Sequence, residues 1–265
     1  MTNTQQPLRL ALITSGFDHL TATFHEWPEK PSLIIELNEW DLKQRSKYFV
    51  RKVLRLLYPS KYPDCEAYCR KHQLQYKRVR KANKCELKTV LQAADASLVV
   101  SYRCAIIPMD ALEPVPHGGI NLHGSLLPNF RGGNPLFWQV LHNEEEAGCT
   151  VHRLSQGIDE GDILEQTRIK RPRFIHHEDL AYKVNVELGQ PLLASVIQKI
   201  AAGTTVSTTQ KIPAEPDQAI HPAPNCDWST WQSLLPLDEL TDEHERDIQC
   251  FLGRGVSTTV KPPII

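Results

Sequence analysis

The amino-acid sequence predicts an α/β fold with a Rossmann-like, mostly parallel sheet, flanking helices and a small C-terminal extension. Short apolar segments with the composition of buried parallel strands alternate with segments of helical periodicity, which is the pattern of crossover units. The 265 residues, 41% of them hydrophobic, suffice for one large or two modest domains. The predicted strands are 8–16, 32–37, 75–79, 96–101, 119–123 and 150–154.

Apolar residues at helical spacing predict helices between and after these strands. Asn134 is a candidate N-cap, and Pro135 suits a first helical turn because no amide hydrogen is needed there. Gly203 is expected to end the longest helix. The predicted helices are 41–57, 85–94, 135–143, 177–202 and 241–252.

The amino-acid composition of the chain changes after residue 203, where prolines become frequent. We found no internal repeat in the sequence. These observations predict a core of residues 1–203 and an extension of residues 204–265 that is partly loop.

The charges balance overall, with 30 Lys and Arg against 31 Asp and Glu, which argues against a general nucleic-acid binder. From Lys43 to Lys88, however, fifteen basic residues stand against three acidic ones. Such a segment forms either solvated helix faces or a site for an anionic partner such as phosphate, polyglutamate or RNA. No apolar run reaches the roughly 18–20 residues of a membrane span, and no signal peptide is evident, so we expect a cytoplasmic protein.

The seven cysteines are odd in number and scattered, unlike a disulfide framework. Cys65, Cys69 and His72 would share one face of a helix, but a fourth metal ligand is not evident. We therefore interpret the two cysteines as buried structural residues and expect no metal.

The most informative polar residues follow the predicted strand 119–123. Dinucleotide, P-loop and nucleophile-elbow motifs are absent from the sequence. Asn121 and His123 are two residues apart on a strand, so their side chains share one face at the strand end, where open parallel sheets bind ligands. An amide can stabilise a developing oxyanion and an imidazole can move a proton. Asp159, in a loop flanked by glycines, is expected to orient His123 and to raise its pKa.

The motif Asn-Leu-His-Gly-Ser-Leu-Leu-Pro at 121–128 has Arg-Gly at 131–132 and is followed by Gly-Ile-Asp-Glu-Gly-Asp-Ile-Leu at 157–164. This combined pattern resembles the N10-formyltetrahydrofolate-dependent formyltransferases, and the resemblance extends from about residue 8 to residue 203. It implies that Asn121, His123 and Asp159 are the catalytic residues. By this resemblance Asn121 holds the formyl oxygen, His123 assists proton transfer, and Asp159 orients His123 and helps to deprotonate the amine.

The same resemblance implies that the protein uses N10-formyltetrahydrofolate as the formyl donor. The segment after the fourth strand, with Arg103, Cys104 and Ile106, is expected to contact the folate. Gly157 and Ile158 are expected to contact it from the loop before Asp159, and Ser125 to line the formyl site.

Family members differ mainly in the formyl acceptor. The segment after the first strand lacks the glycine-rich loop of the glycinamide ribonucleotide enzymes. Because the first predicted strand begins at about residue 8, we do not expect the regulatory domain of the deformylases. Residues 204–265 carry nine acidic and four basic residues, and such a segment would repel tRNA phosphates. The segment 131–138, Arg-Gly-Gly-Asn-Pro-Leu-Phe-Trp, resembles the enzymes that formylate nucleotide-linked amino sugars.

The resemblance therefore implies a primary amine on a nucleotide-linked amino sugar as the acceptor, with Arg131 and Trp228 as candidate substrate contacts. The extension would complete the acceptor site or form a homodimer. Two alternatives remain open: a methionyl-tRNA formyltransferase-like enzyme that uses the basic segment as an RNA platform, and a catalytically idle folate-binding protein.

Overall fold

Seven strands form the sheet in the part of the chain that the structure describes. The computed structural model describes residues 7–15, 24, 27, 29–38, 65–80, 83–104, 106–211, 234 and 240–253. Its strands are β1 Leu10–Thr14, β2 Pro31–Asn38, β3 Gln75–Arg80, β4 Leu98–Tyr102, β5 Gly119–His123, β6 Glu146–Arg153 and β7 Ile163–Lys170. Their order is β3-β2-β1-β4-β5-β6-β7, with β1 to β5 pairing in parallel and β6 and β7 antiparallel. The predicted α/β fold with a mostly parallel sheet is confirmed.

Four of the five predicted helices have counterparts among the described residues, and the helix Cys65–Lys71 was not in the predicted set. The helices are α1 Cys65–Lys71, α2 Lys84–Ala93, α3 Pro135–Leu141, α4 His177–Tyr182, α5 Gly189–Ala201 and α6 Asp242–Phe251. The predicted helix 41–57 lies outside the described residues. Within the described parts of the chain, none of the helices has the length and apolar character that a membrane span needs.

Two local features of the helices differ from the expectations. Asn134 is the N-cap residue of α3 and Pro135 occupies the first turn, as predicted, but the backbone of Asn134 is left-handed (φ 51°) and its side chain makes no capping hydrogen bond. The predicted helix 177–202 contains a π-helical stretch, Lys183–Leu188, between α4 and α5. Pro191, just beyond this stretch, has no amide hydrogen for the carbonyl four residues earlier, which disfavours regular α-helical bonding there.

The chain divides into two compact units. The first comprises the described residues of Met1–Leu122, Arg153–Gln156 and Ala194–Val206. Every residue of β1 and β4 is buried, as expected for parallel strands covered on both faces. The core of this unit joins apolar residues of β1 to β4 with Leu87 and Leu91 of α2.

The second unit comprises the described residues of His123–His152, Gly157–Leu193 and Ser207–Ile265. Helix α3 packs against α4 and α6, and His244 of α6 has its Nε2 2.9 Å from the Val140 carbonyl oxygen. The predicted boundary between a core and an extension at residue 203 stays a prediction.

A buried ion pair connects α6 to the segment after β7. Arg171 and Asp247 are each about 1% exposed, and the Arg171 Nη1 donates to Asp247 Oδ2 over 2.7 Å. The other carboxylate oxygen of Asp247 accepts the backbone N–H of Phe174 at 2.5 Å. Because both charges are removed from water, each depends on the other for its compensation.

We therefore expect Asp247→Ala to lower the free energy of unfolding by about 3–5 kcal/mol, since it leaves the Arg171 guanidinium buried without its carboxylate. Urea denaturation followed by circular dichroism measures the change. Glu243→Ala, at an exposed position of the same helix, is the matched control and is expected to cost less than about 1 kcal/mol. Equal losses in the two variants would contradict this assignment.

Candidate active site

The loop that follows β5 is held by buried polar side chains. Thr150 of β6 donates its hydroxyl to the Ser125 carbonyl (2.7 Å) and accepts the N–H of Leu127 (3.1 Å). Gln139 of α3 donates to the carbonyl of Gly124 over 2.9 Å. These bonds satisfy three backbone polar groups of the loop and so help to fix the chain directly after His123.

His123, the last residue of β5, is 6% exposed and has a partner at each ring nitrogen. Its Nε2 lies 2.9 Å from the carbonyl oxygen of Phe130. A carbonyl can only accept, so Nε2 carries the hydrogen of the neutral ring. Nδ1 faces Asp159, with 3.5 Å to Oδ2, and is the atom that gains the second proton.

Asp159 lies at the centre of a cluster of donors. Its Oδ2 accepts the backbone N–H of Gly132 at 2.9 Å, in addition to facing His123. Its Oδ1 lies 3.4 Å from Nε2 of His152, which is only 1% exposed. The carboxylate therefore bridges two buried imidazoles. All of these groups belong to the second compact unit.

The environment shifts the pKa values of both members of the His123–Asp159 pair. Burial disfavours the charged imidazole and lowers the pKa of His123, and the nearby His152 lowers it further, although Asp159 and the Phe130 carbonyl act in the opposite direction. Burial acts to raise the pKa of Asp159, but the hydrogen bond from His152 and the positive potential of both histidines outweigh it and lower this pKa to about 2.

Asp159 acts to raise the pKa of His123, as expected, but desolvation outweighs this effect and leaves the pKa below its ordinary value. The pair consists of an ionised carboxylate beside a neutral imidazole at neutral pH. Such a pair can accept a proton at Nδ1 of His123 and stabilise the imidazolium that results.

Asn121 lies two residues before His123 in β5, so both side chains leave the strand on the same face. It is half-buried, and its register partner on β4 is Ser101. The structure thus brings His123 and Asp159 into contact and places Asn121 on the same strand as His123. The catalytic role of the three residues stays a prediction.

The predicted folate contacts after β4 occupy the carboxyl end of the first unit's strands. Arg103 is exposed, has φ 50°, and accepts the N–H of Ser15 on its carbonyl at 3.2 Å. Cys104 has its Sγ 3.6 Å from the Ser15 hydroxyl. Ile106 is 62% exposed, whereas the residues of the preceding strand β4 are buried.

The other predicted contacts have structural partners in the second unit. Ser125 is fully buried and donates its hydroxyl to the Asn129 carbonyl over 2.8 Å. Arg131 is 1% exposed and forms a 2.9 Å ion pair with Glu160. Gly157 lies beneath the Glu160 carboxylate, and Ile158 is half-buried. Contacts from these residues to ligands stay predictions, and Trp228 lies outside the described residues.

Three residues that contribute to the site were not singled out from the sequence: His152, Glu160 and Gln210. A signal for His152 was present, because it follows Thr150 by two residues on a strand and therefore shares the face that supports the loop after β5. Glu160 adjoins Asp159 in the motif. Nothing local marks Gln210, which lies 51 residues after Asp159.

A family model and several curated relatives that match this chain are described as formyltransferases. A family model described as "Formyl transferase" matches residues 56–193, more than half of the chain. The methionyl-tRNA formyltransferase of Anaeromyxobacter dehalogenans is 36% identical over 149 residues, which is 56% of this chain and 47% of that protein. The chain thus spans about half the length of the curated relatives that it matches.

Solved structures share the fold at low sequence identity. The N-formyltransferase from Helicobacter canadensis, in complex with folinic acid and dTDP-3-aminofucose, has a TM-score of 0.61 at 17% identity, covering 92% of this chain and 80% of that one. The phosphoribosylglycinamide formyltransferase from Anaplasma phagocytophilum has a TM-score of 0.60 at 19% identity, covering 82% and 99%.

The pKa of His123 offers a direct test of the site. We expect Asp159→Asn to lower this pKa further, because the substitution removes the negative charge that favours the imidazolium. NMR titration of the imidazole Cε1 protons, with His123→Gln used for assignment, measures it. Asp110→Asn, at an exposed position, is the matched control and should leave the pKa unchanged. A pKa of His123 that rises or stays constant in Asp159→Asn would contradict the described pair.

Proposed function

The chain belongs to the formyl transferase family, as the match over residues 56–193 shows, and from this premise we propose that it is an N-formyltransferase. It transfers the formyl group of N10-formyltetrahydrofolate to the primary amine of a small acceptor. The observation that carries this proposal is the contact between the buried His123, on the strand β5 that also carries Asn121, and the ionised Asp159 on the loop after β6.

The reaction needs one bond to form, one to break and one proton to move. The amine nitrogen bonds to the formyl carbon, the bond from that carbon to the folate nitrogen breaks, and a proton passes from the amine to that nitrogen. Asn121 donates its amide hydrogens to the formyl oxygen as negative charge develops there. The side chain of Asn121 is suited to this task because it shares a strand face with His123.

Proton movement is the task of the His123–Asp159 pair. Neutral His123 accepts the amine proton at Nδ1, the ring nitrogen that lies 3.5 Å from the carboxylate of Asp159. Asp159 stays ionised at neutral pH, since its pKa is about 2, and stabilises the imidazolium electrostatically. The imidazolium then returns the proton to the leaving folate nitrogen, and the pair regains its starting state.

Residues after β4 and before Asp159 are proposed to hold the formyl donor. The exposed apolar side chain of Ile106 suits the flat face of a pterin ring, and Arg103 suits the donor's negative charges. Cys104, Gly157, Ile158 and Ser125 complete the proposed set. The family membership and the solved relatives, one of them in complex with folinic acid, support this donor.

A nucleotide-linked amino sugar is the proposed acceptor. The Helicobacter canadensis protein, solved with dTDP-3-aminofucose, matches 92% of this chain in fold, whereas the methionyl-tRNA relative aligns over 56% of it. The excess of acidic over basic residues in 204–265 disfavours contact with tRNA phosphates. Arg131 and Trp228 stay as the predicted acceptor contacts.

The tRNA acceptor is the second candidate, favoured by the relatives of up to 40% identity that are named methionyl-tRNA formyltransferase. The two acceptors differ in salt dependence. Binding driven by phosphate contacts weakens steeply as salt rises, whereas an amino-sugar nucleotide offers few phosphates. A formyl-transfer assay with both acceptors at two ionic strengths separates them.

The full test uses N10-formyltetrahydrofolate with a panel of nucleotide-linked amino sugars and with initiator methionyl-tRNA, read by mass gain on the acceptor. We expect formylation of an amino sugar, and a loss of roughly 10²–10⁴-fold in kcat for His123→Ala or Asn121→Ala. His117→Ala, at an exposed position, is the matched control.

Near-normal turnover in His123→Ala would overturn the proposed mechanism. Formylation of methionyl-tRNA but of no amino sugar would show that tRNA, and not a nucleotide-linked sugar, is the acceptor. Folate binding without turnover on any amine would instead identify the idle folate-binding protein.

A further inference from the structure

Asp159 has a backbone conformation that is costly for an L-residue. Its φ of 54° lies in the left-handed region, which non-glycine residues occupy only when their surroundings stabilise it. The direction of its carboxylate towards His123 depends on this conformation. Groups that hold the loop 157–161 therefore also determine the geometry of the proposed catalytic pair.

The side chain of Gln210 holds this loop from a distant part of the chain. Its Nε2 donates to the carbonyl oxygens of Asp159 (2.9 Å) and Gly161 (2.6 Å), so both hydrogens of the amide are used. Carbonyls only accept, so the amide orientation is fixed. Gln210 is 8% exposed, and its Oε1 has no hydrogen-bond partner among the described residues. The two donated bonds are therefore the hydrogen bonds that compensate the burial of this amide.

Backbone pairing brings Gln210 to the loop. Thr208 pairs with Ile163 at the start of β7, with reciprocal N–H to carbonyl bonds of 2.8 Å. Ser207 donates its hydroxyl to Asp162 over 3.3 Å. The segment after α5 thus runs beside the end of the loop, and Gln210 follows the pairing by two residues.

The opposite side of the loop is held by the Arg131–Glu160 ion pair. The Glu160 carboxylate folds over Gly157, where a Cβ atom would come within 1.9 Å of it. Arg131 is 1% exposed and draws this carboxylate inwards over 2.9 Å. Asp159 is therefore fixed between two anchors, one at its own carbonyl and one at the next side chain.

We propose that Gln210 is a positioning residue for the formyl transfer reaction, which holds Asp159 against His123 by binding the carbonyls of the loop 157–161. The expected effect of Gln210 on turnover rests on the proposed function. The expected effect of Gln210 on the geometry of the His123–Asp159 pair does not. Gln210 touches neither the reacting atoms nor His123 in this proposal. In this proposal a residue of the predicted extension, 204–265, positions Asp159, the proposed catalytic carboxylate of the predicted core.

Gln210→Met is the main test, because it keeps the length of the side chain and removes both donors. Asp159 should then leave Nδ1 of His123, so NMR titration should show a pKa of His123 below that of the unmodified protein. In the formyl-transfer assay kcat should fall roughly ten- to a hundredfold, while KM for the formyl donor changes less than about twofold. Thr209→Met, at the exposed neighbouring position, is the matched control and should change neither quantity.

Two further variants guard against a loss of fold. Gln210→Glu can donate one hydrogen bond when protonated and none when ionised, so its His123–Asp159 pair should recover as the pH is lowered. Glu160→Gln weakens the second anchor and should shift the pKa of His123 in the same direction as Gln210→Met.

An unchanged pKa of His123 in a folded Gln210→Met variant overturns the proposal. A lowered pKa supports it even if the unmodified protein transfers no formyl group, in which case only the proposed function fails. Equal effects of Gln210→Met and Thr209→Met also overturn it.

Discussion

The carboxylate of Asp159 is the group on which the arrangement of the site depends. It accepts the backbone N–H of Gly132 and faces two buried imidazoles, His123 and His152. An ionised carboxylate that is largely removed from water is stable only when such donors compensate its desolvation. The strand end of β5, the adjoining strand β6 and the loop after β5 therefore contribute one partner each to the same charge.

Desolvation explains why the pair has the protonation state that a proton acceptor needs. A solvated histidine beside a carboxylate would have a raised pKa and would hold its proton at neutral pH. Burial of His123 to 6% exposure reverses this effect and leaves the ring neutral. The same burial does not neutralise Asp159, since its hydrogen bonds favour the ionised form.

Much of the fold and the principal contact of the site could be predicted from the sequence. The bounds of β5 agree with the prediction, and the motif spacing correctly indicated that Asp159 meets His123. Strand β7 was not predicted, because Ile163–Lys170 mixes polar and apolar residues at the antiparallel edge of the sheet. The direction of the His123 pKa and the partner Gln210 depend on burial and on long-range pairing, which spacing along the chain does not encode.

The 51 residues between Asp159 and Gln210 also have a consequence for the order in which the molecule is completed. A ribosome releases β5, β6 and the loop 157–161 well before it releases the segment that pairs with Ile163. Until that segment emerges, the left-handed backbone of Asp159 lacks the donors for its carbonyl and for that of Gly161. By the role proposed for Gln210, the geometry of the His123–Asp159 pair is thus completed late in synthesis, after the sheet that carries His123.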